Sequence, residues 1–457
     1  MFNKQETFKL TEEKKTIIVA KQGDNPVSKM VIESLGIHLE DLNDASFSKV
    51  QSLGKIPAKW VVFINQEDLT NNKKVKSITK GLASLKEDSV VLLDSFKETA
   101  ITPLFETLTK AEYRFNKFKT EDKPKTNGIA YTTTKNLDQA IHEGIVFGEA
   151  INHTRELINT PYNYLNAEKL AEYAEALNSI PNVSVKIYEK SDCESMNMGA
   201  FLGVNKGSTD APKLIHVTYT GNSDSDDQTA LVGKGVMYDT GGYSLKTPQS
   251  MPSMKMDMGG AATVLGAIEA IARLEAKANV SVVIAATDNR IGDNAVVPDD
   301  ILTSAKGLTI EIVSTDAEGR LTLADALWFA QEKGATRLID VATLTGAVVA
   351  ALGDAYTGAF TNNETFLNEL QQAAKEVNED IWQLPIHDKY REELKSFSAD
   401  MTNKGGRMAG ASIAAAFLEK FVDNDRPWIH LDIAGSSYNS KEGATGRIVK
   451  TLAKLFV

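Results

Sequence analysis

Residues 308–334 read LTIEIVSTDAEGRLTLADALWFAQEKG, and three patterns follow one another within them. LTIEIVS (308–314) is rich in β-branched residues and predicts a buried strand. LTLADALWFAQEKG (321–334) carries apolar residues at helical spacing. Between the two, Asp316, Glu318 and Arg320 crowd one short turn. A strand that passes through a turn into a helix is the repeating unit of an α/β sheet.

Working outward from this unit, the same alternation extends over most of the chain. Strands are predicted at 183–189, 214–220, 229–235, 279–287, 337–343 and 428–434. A second clear helix is GGAATVLGAIEAIARLEA (259–276). Continuous apolar strands between helices predict a mostly parallel central sheet flanked by helices. Upstream, TIIVA (16–20), WVVFI (60–64) and SVVLL (89–93) predict strands, with lysine-rich amphipathic segments between them. The expected fold class is therefore α/β, in two parts joined by a helix. A small N-terminal α/β domain spans 1–134, a connecting helix 135–160 and a larger catalytic domain 161–457. Pro161 ends the helix.

Composition narrows the function. A chain of 457 residues with 42% hydrophobic and 24% charged residues is an ordinary globular protein. A net charge of −11 argues against a nucleic-acid partner, which needs a basic face. The single cysteine, Cys193, forms no intrachain disulfide and sits among acids that disfavour a thiolate. No signal-like apolar core opens the chain, and no run of about 18 apolar residues predicts a membrane span. A cytoplasmic enzyme is expected, with no membrane partner.

In open parallel sheets, ligands gather beyond the carboxyl ends of the strands. Three predicted strand ends bring polar groups to one edge of one sheet: Lys234 and Asp239, then Asp316 and Glu318, then Thr343. Lys246 and Asp257 lie in the glycine-containing segments 240–246 and 251–262. Each acid alone has a simple reading, as a turn residue, a helix cap or a partner of a helix dipole. Lys234 in VGKGV lacks the upstream glycine and downstream hydroxyl of a phosphate loop. Taken together, Asp239, Asp257, Asp316 and Glu318 cannot all stay ionised in a partly dry pocket without cations. All-oxygen ligation suits Mg²⁺ or Mn²⁺ and is tolerated by Zn²⁺. The surplus of acids suggests two ions. The six histidines are scattered and form no HExxH. The residues alone indicate a metal-dependent hydrolase and name no substrate.

VGKGVMYDTGGYSLK (232–246), MKMDMGGAA (254–262), STDAEGRLTLADAL (314–327) and DVATLTGA (340–347) resemble the leucyl (cytosol) aminopeptidase family of two-metal peptidases. RELINTPYN (155–163), residues 396–418 and HLDIAGSSYNSKEGATGR (430–447) agree, so the resemblance covers about 155 to the C-terminus. It implies that Lys234 and Asp257 hold one ion, that Asp239 and Glu318 touch both, and that Asp316 holds the second. It implies further that Lys246 polarises the scissile carbonyl and that Arg320 holds a bicarbonate acting as general base towards a metal-bridging water. Met254, Thr343, Gly346 and Ala434 would line the pocket for the first side chain of a peptide substrate. The implied cofactors are two Zn²⁺ or Mn²⁺ ions per subunit, with Mg²⁺ a further option, plus bicarbonate. The implied assembly is a homohexamer.

The chain departs from the family pattern at Ser314, Tyr238 and Thr240, none a ligand position, and in the segment 288–300. Ser437 is polar where some members carry a larger apolar residue, which bears on side-chain preference. Two other functions compete with broad leucine-type aminopeptidase activity: a narrower dipeptidase such as a cysteinylglycinase, and a catalytically silent oligomeric scaffold.

Overall fold

The computed structural model describes residues 2–4, 15–42, 44–120, 128–423 and 426–457. The chain divides into two compact units, Met1–Asn152 and His153–Val457.

In the first unit, strands β1 (Phe2–Lys4), β2 (Thr16–Ala20), β3 (Phe47–Gln51), β4 (Trp60–Ile64), β5 (Ser89–Leu92) and β6 (Ile129–Thr132) form one sheet. Its order is β1-β6-β5-β2-β4-β3, parallel except at the β3–β4 edge. Alternation along each strand sends side chains to opposite faces. Ile18, Val62 and Val91 accordingly join one core with helices α2 (Lys74–Ala83) and α3 (Ile101–Glu112). Ile17, Val61 and Val90 join another with α1 (Pro26–Leu35). Helix α4 (Asp138–Asn159) lies in the segment 135–160, and the division between the units falls inside it.

In the second unit, helices α5 (Ala167–Ala176), α6 (Lys190–Ser195) and α7 (Gly199–Asn205) surround strands β7 (Val183–Tyr188) and β8 (Lys213–Thr220) in sequence. The sheet continues with β9 (Gln228–Asp239), β10 (Asn279–Asn289), β13 (Arg337–Ala342), β14 (Thr357–Thr361), β15 (Ile381–Gln383) and β17 (Trp428–Asp432). Its order is β15-β14-β17-β13-β9-β10-β8-β7. The centre, β17-β13-β9-β10, is parallel, and antiparallel pairings β10–β8, β8–β7 and β14–β17 border it. Helix α8 (Gly259–Arg273) packs on one face, with Ala261 and Val264 against Gly233. Helix α9 (Gly319–Glu332) covers the other, where Leu323, Ala324 and Leu327 share a core with Ala230 and Val232.

One prediction is corrected. LTIEIVS does not extend the central sheet: only β12 (Thr309–Glu311) pairs, within a small sheet of β11 (Ile301–Thr303), β12 and β16 (Met401–Thr402). Asn403 interrupts the ladder. Its Oδ1 accepts the Val313 and Ser314 N–H groups and its Nδ2 donates to Ser314 O, so a side chain replaces a strand. The acidic turn thus approaches the central sheet from a separate one.

Candidate metal centre

Two strand ends and two loops build the site. Strand β9 carries Lys234, which is 3% exposed, and ends at Asp239. Strand β10 lies beside it and ends at Asn289, whose Nδ2 donates to Asp239 Oδ1 at 2.8 Å and to Thr315 O at 3.0 Å. The loop after β9 needs its glycine: Gly241 has φ +87° and donates its N–H to Asp239 Oδ1 at 2.8 Å. Thr315 clips this loop to the acidic turn, with its Oγ1 donating to Gly241 O at 2.6 Å and accepting from Ser244 N at 2.7 Å. That clip brings Lys246 to Asp316.

The charges then pair as follows. Lys234 Nζ donates to Asp257 Oδ1 at 2.7 Å and to Thr343 O at 3.0 Å, and lies 3.0 Å from Glu318 Oε1. Lys246 Nζ lies 2.7 Å from Asp239 Oδ2 and 2.6 Å from Asp316 Oδ1. Asp239, Asp316 and Glu318 each offer a carboxylate oxygen within 4.8 Å of the others. Asp316 is the member open to solvent, with a side chain 39% exposed. Asp257 sits in a 3-10 turn (Met254–Met258) ahead of α8. Lys234 and Thr343, whose Oγ1 donates at 2.9 Å, occupy its Oδ1.

Two lysines do not satisfy four carboxylates here. Burial pushes the carboxyls of Asp239, Asp257 and Asp316 above the usual range, and neighbouring acids push the same way. Glu318 Oε2 is buried without a hydrogen-bond partner among the described residues. Asp257 Oδ2 also has none, although it lies 2.6 Å from the Lys234 ammonium. A buried oxygen without a partner, on a carboxylate with two others within 4.8 Å, is what a divalent cation would satisfy, so the residues fit a metal centre.

Arg320 opens α9 on the edge of this group. Its Nη1 donates to Asn403 O at 2.8 Å and its guanidinium faces Phe417, while Nε has no hydrogen-bond partner among the described residues. Burial lowers its pKa to about 10, against the pull of Glu318 and Asp432. Of the expected pocket residues, Thr343 touches Asp257 and Lys234 directly. Gly346 begins α10 (Gly346–Leu352), and Ala434 packs with Leu344 and Ala347 against the core. Met254 shares the 3-10 turn with Asp257, three residues on. Cys193 lies apart, buried, its thiol pushed up to about 12 chiefly by burial.

Sequence reasoning missed Asn289, Thr315, Asn403 and Asp432. Their partners lie up to 90 residues away along the chain, although Asn289 and Thr315 stand beside predicted strand ends and Asp432 lies inside a predicted strand.

Comparison with known proteins follows the same residues. The profile of the cytosol aminopeptidase family, catalytic domain, matches residues 152–453. Among solved structures, a point mutant of tomato leucine aminopeptidase superposes with a TM-score of 0.87 at 29% identity. The match covers 100% of this chain and 96% of that one.

Proposed function

Since the chain belongs to the cytosol aminopeptidase family, and is thus a hydrolase of the metal-dependent aminopeptidase type, we propose that residues 234–320 form its two-metal active centre. Lys234, Asp239, Asp257, Asp316 and Glu318 would hold the two ions, Zn²⁺ or Mn²⁺. The substrates would be peptides with leucine-type first residues, accepted broadly. The observation that carries this reading is the buried, unpartnered Glu318 Oε2 on a carboxylate that shares its surroundings with Asp239, Asp257, Asp316 and two lysines.

When bound, such ions anchor a free α-amine, polarise the neighbouring carbonyl and activate a water. The chain's own residues do the rest. Lys246 keeps its proton: burial opposes the charge, but Asp239, Glu318 and Asp316 hold its pKa above the usual lysine range. A fixed ammonium at that place stabilises the negative charge that develops on the carbonyl oxygen. Asp316, open to solvent, marks the side from which a peptide arrives. Arg320 would hold bicarbonate through its unpartnered Nε, giving the water's proton an acceptor in a site whose own acids are engaged. Thr343, Gly346, Ala434 and Met254 would receive the first side chain, and an apolar pocket of this kind discriminates size weakly. A cytoplasmic homohexamer is part of the same proposal. Among the described residues no helix is long and apolar enough to cross a membrane.

The test is hydrolysis of leucine p-nitroanilide by the purified protein before and after chelation. Activity should vanish with chelator and return with Mn²⁺ or Zn²⁺. Activity that persists in a metal-free protein sinks the proposal.

A further inference from the structure

Strand β17 ends at Asp432, a buried carboxylate that no step above uses. Its Oδ1 accepts the N–H of Leu344 at 3.1 Å and the N–H of Ala434 at 3.2 Å, and its Oδ2 accepts the Thr345 hydroxyl at 2.7 Å. The Thr345 hydroxyl in turn accepts the Val348 N–H at 3.0 Å, capping α10 just ahead of Gly346. One side chain therefore ties together the two segments that carry Thr343, Gly346 and Ala434.

The Leu344 N–H belongs to the same peptide unit as Thr343 C=O, and that carbonyl receives Lys234 Nζ at 3.0 Å. A carboxylate on the N–H end of an amide polarises it and strengthens the carbonyl as an acceptor. Asp432 thus fixes the plane and raises the basicity of the group that takes one Lys234 hydrogen. A hydrogen committed there restricts where the remaining valences of the amine face. Thr343 also donates to Asp257 Oδ1 at 2.9 Å, so the same loop orients a second ligand.

We propose that Asp432 is a positioning residue that sets the side-chain pocket and the Lys234–Asp257 half of the metal centre together, through the peptide between Thr343 and Leu344. This rests on the metal-centre reading given above. Groups that orient metal ligands from behind change affinity about 10-fold or more when altered.

The test uses the full chain, stripped by chelator and titrated calorimetrically with Mn²⁺, then assayed on leucine and alanine p-nitroanilides. Asp432→Asn keeps the shape but replaces one acceptor with a donor. It should weaken Mn²⁺ binding about 10-fold and lower the leucine-to-alanine ratio of kcat/KM roughly threefold. Thr345→Val, which replaces the hydroxyl with a methyl group, should lower the same ratio, and Thr345→Ser, which keeps a hydroxyl, should leave it near the wild-type value. A folded Asp432→Asn protein with unchanged Mn²⁺ affinity and ratio overturns the inference. If that variant does not fold, an unchanged ratio in Thr345→Val overturns it instead. Wild-type protein that neither binds Mn²⁺ nor cleaves either substrate overturns the metal-centre reading as well, so the two failures are distinct.

Discussion

Lys234 Nζ lies 2.6 Å from Asp257 Oδ2 in a pair that solvent scarcely reaches. Burial pulls the lysine towards its neutral form, but Asp257, Glu318 and Asp239 more than offset this and hold its pKa above the usual range. Without an ion the group is an ammonium, whereas a metal ligand must be a neutral amine. With Lys234 as the proposed ligand, ion binding would have to expel this proton. Mn²⁺ affinity of the stripped protein should rise with pH, by about 10-fold per unit for each proton released. Calorimetry in two buffers of different ionisation enthalpy counts the protons directly, and an affinity flat with pH contradicts the assignment of Lys234.

The role proposed for Lys246 is different, which separates its variant from that of Lys234. Lys246→Ala should retain its metal and lose about 10²–10³ in turnover, the usual cost of removing a charge stabiliser. In the stripped protein it also leaves Asp239 Oδ2 and Asp316 Oδ1 without their cation. Breaking a buried pair costs about 3 kcal/mol, less here because Asp316 is partly solvated. Thermal melts should show that loss without Mn²⁺ and its recovery with it. Unchanged turnover removes Lys246 from the chemistry.

The contrast between these residues and Asp432 marks what could be read from sequence. The α/β alternation was legible because strands β9, β10 and β13 are long, apolar and uninterrupted. Asp239 and Thr343 were legible as polar groups at or just past the ends of such strands, whereas Lys234, read as lying near a strand end, sits within β9. LTIEIVS misled because its composition is that of a central strand, while its pairing is cut short by an asparagine about 90 residues downstream. Asp432 and Asn403 gave no local signal: each works by accepting or donating to backbone brought in by another element. Periodicity reports which face is buried, and it is silent about a buried side chain that substitutes for a strand or a cap.

His216 supplies a pH dependence apart from the site. Burial, with Lys333 and Lys186 nearby, lowers its pKa from 6.5 to about 4. The folded pKa lies below the unfolded one, so between these values the unfolded chain binds a proton that the folded chain refuses. Stability is present above about pH 6.5 and is lost as pH falls towards 4. His216→Phe, beside the Phe329 ring 5.5 Å away, should flatten this slope. The Tm difference between pH 7 and pH 5 should shrink by roughly 2 °C. An identical pH profile in the variant argues that the imidazole stays accessible to protons.

Gly319 allows the sharpest separation of geometry from ligand identity. A Cβ built there would lie 2.2 Å from Lys234 Cε and 2.6 Å from its Nζ, so the residue after Glu318 must leave room for the lysine that crosses it. Lys234 is held on its other sides by Asp257, Thr343 O and Glu318, and no retreat keeps all three contacts. In Gly319→Ala no proposed metal ligand is removed, and helix propensity at the start of α9 improves by about 1 kcal/mol. Even so, the methyl must push Nζ out of line. The variant should fold, lose Mn²⁺ affinity by 10-fold or more, and lose activity in proportion at limiting metal. Adding Lys234→Met should produce little further loss of affinity, because the amine is already displaced. Additive losses in the double variant would mean that Lys234 still reaches the ion past the methyl group, and that the tight fit of these two residues is not what sets the ligand's position.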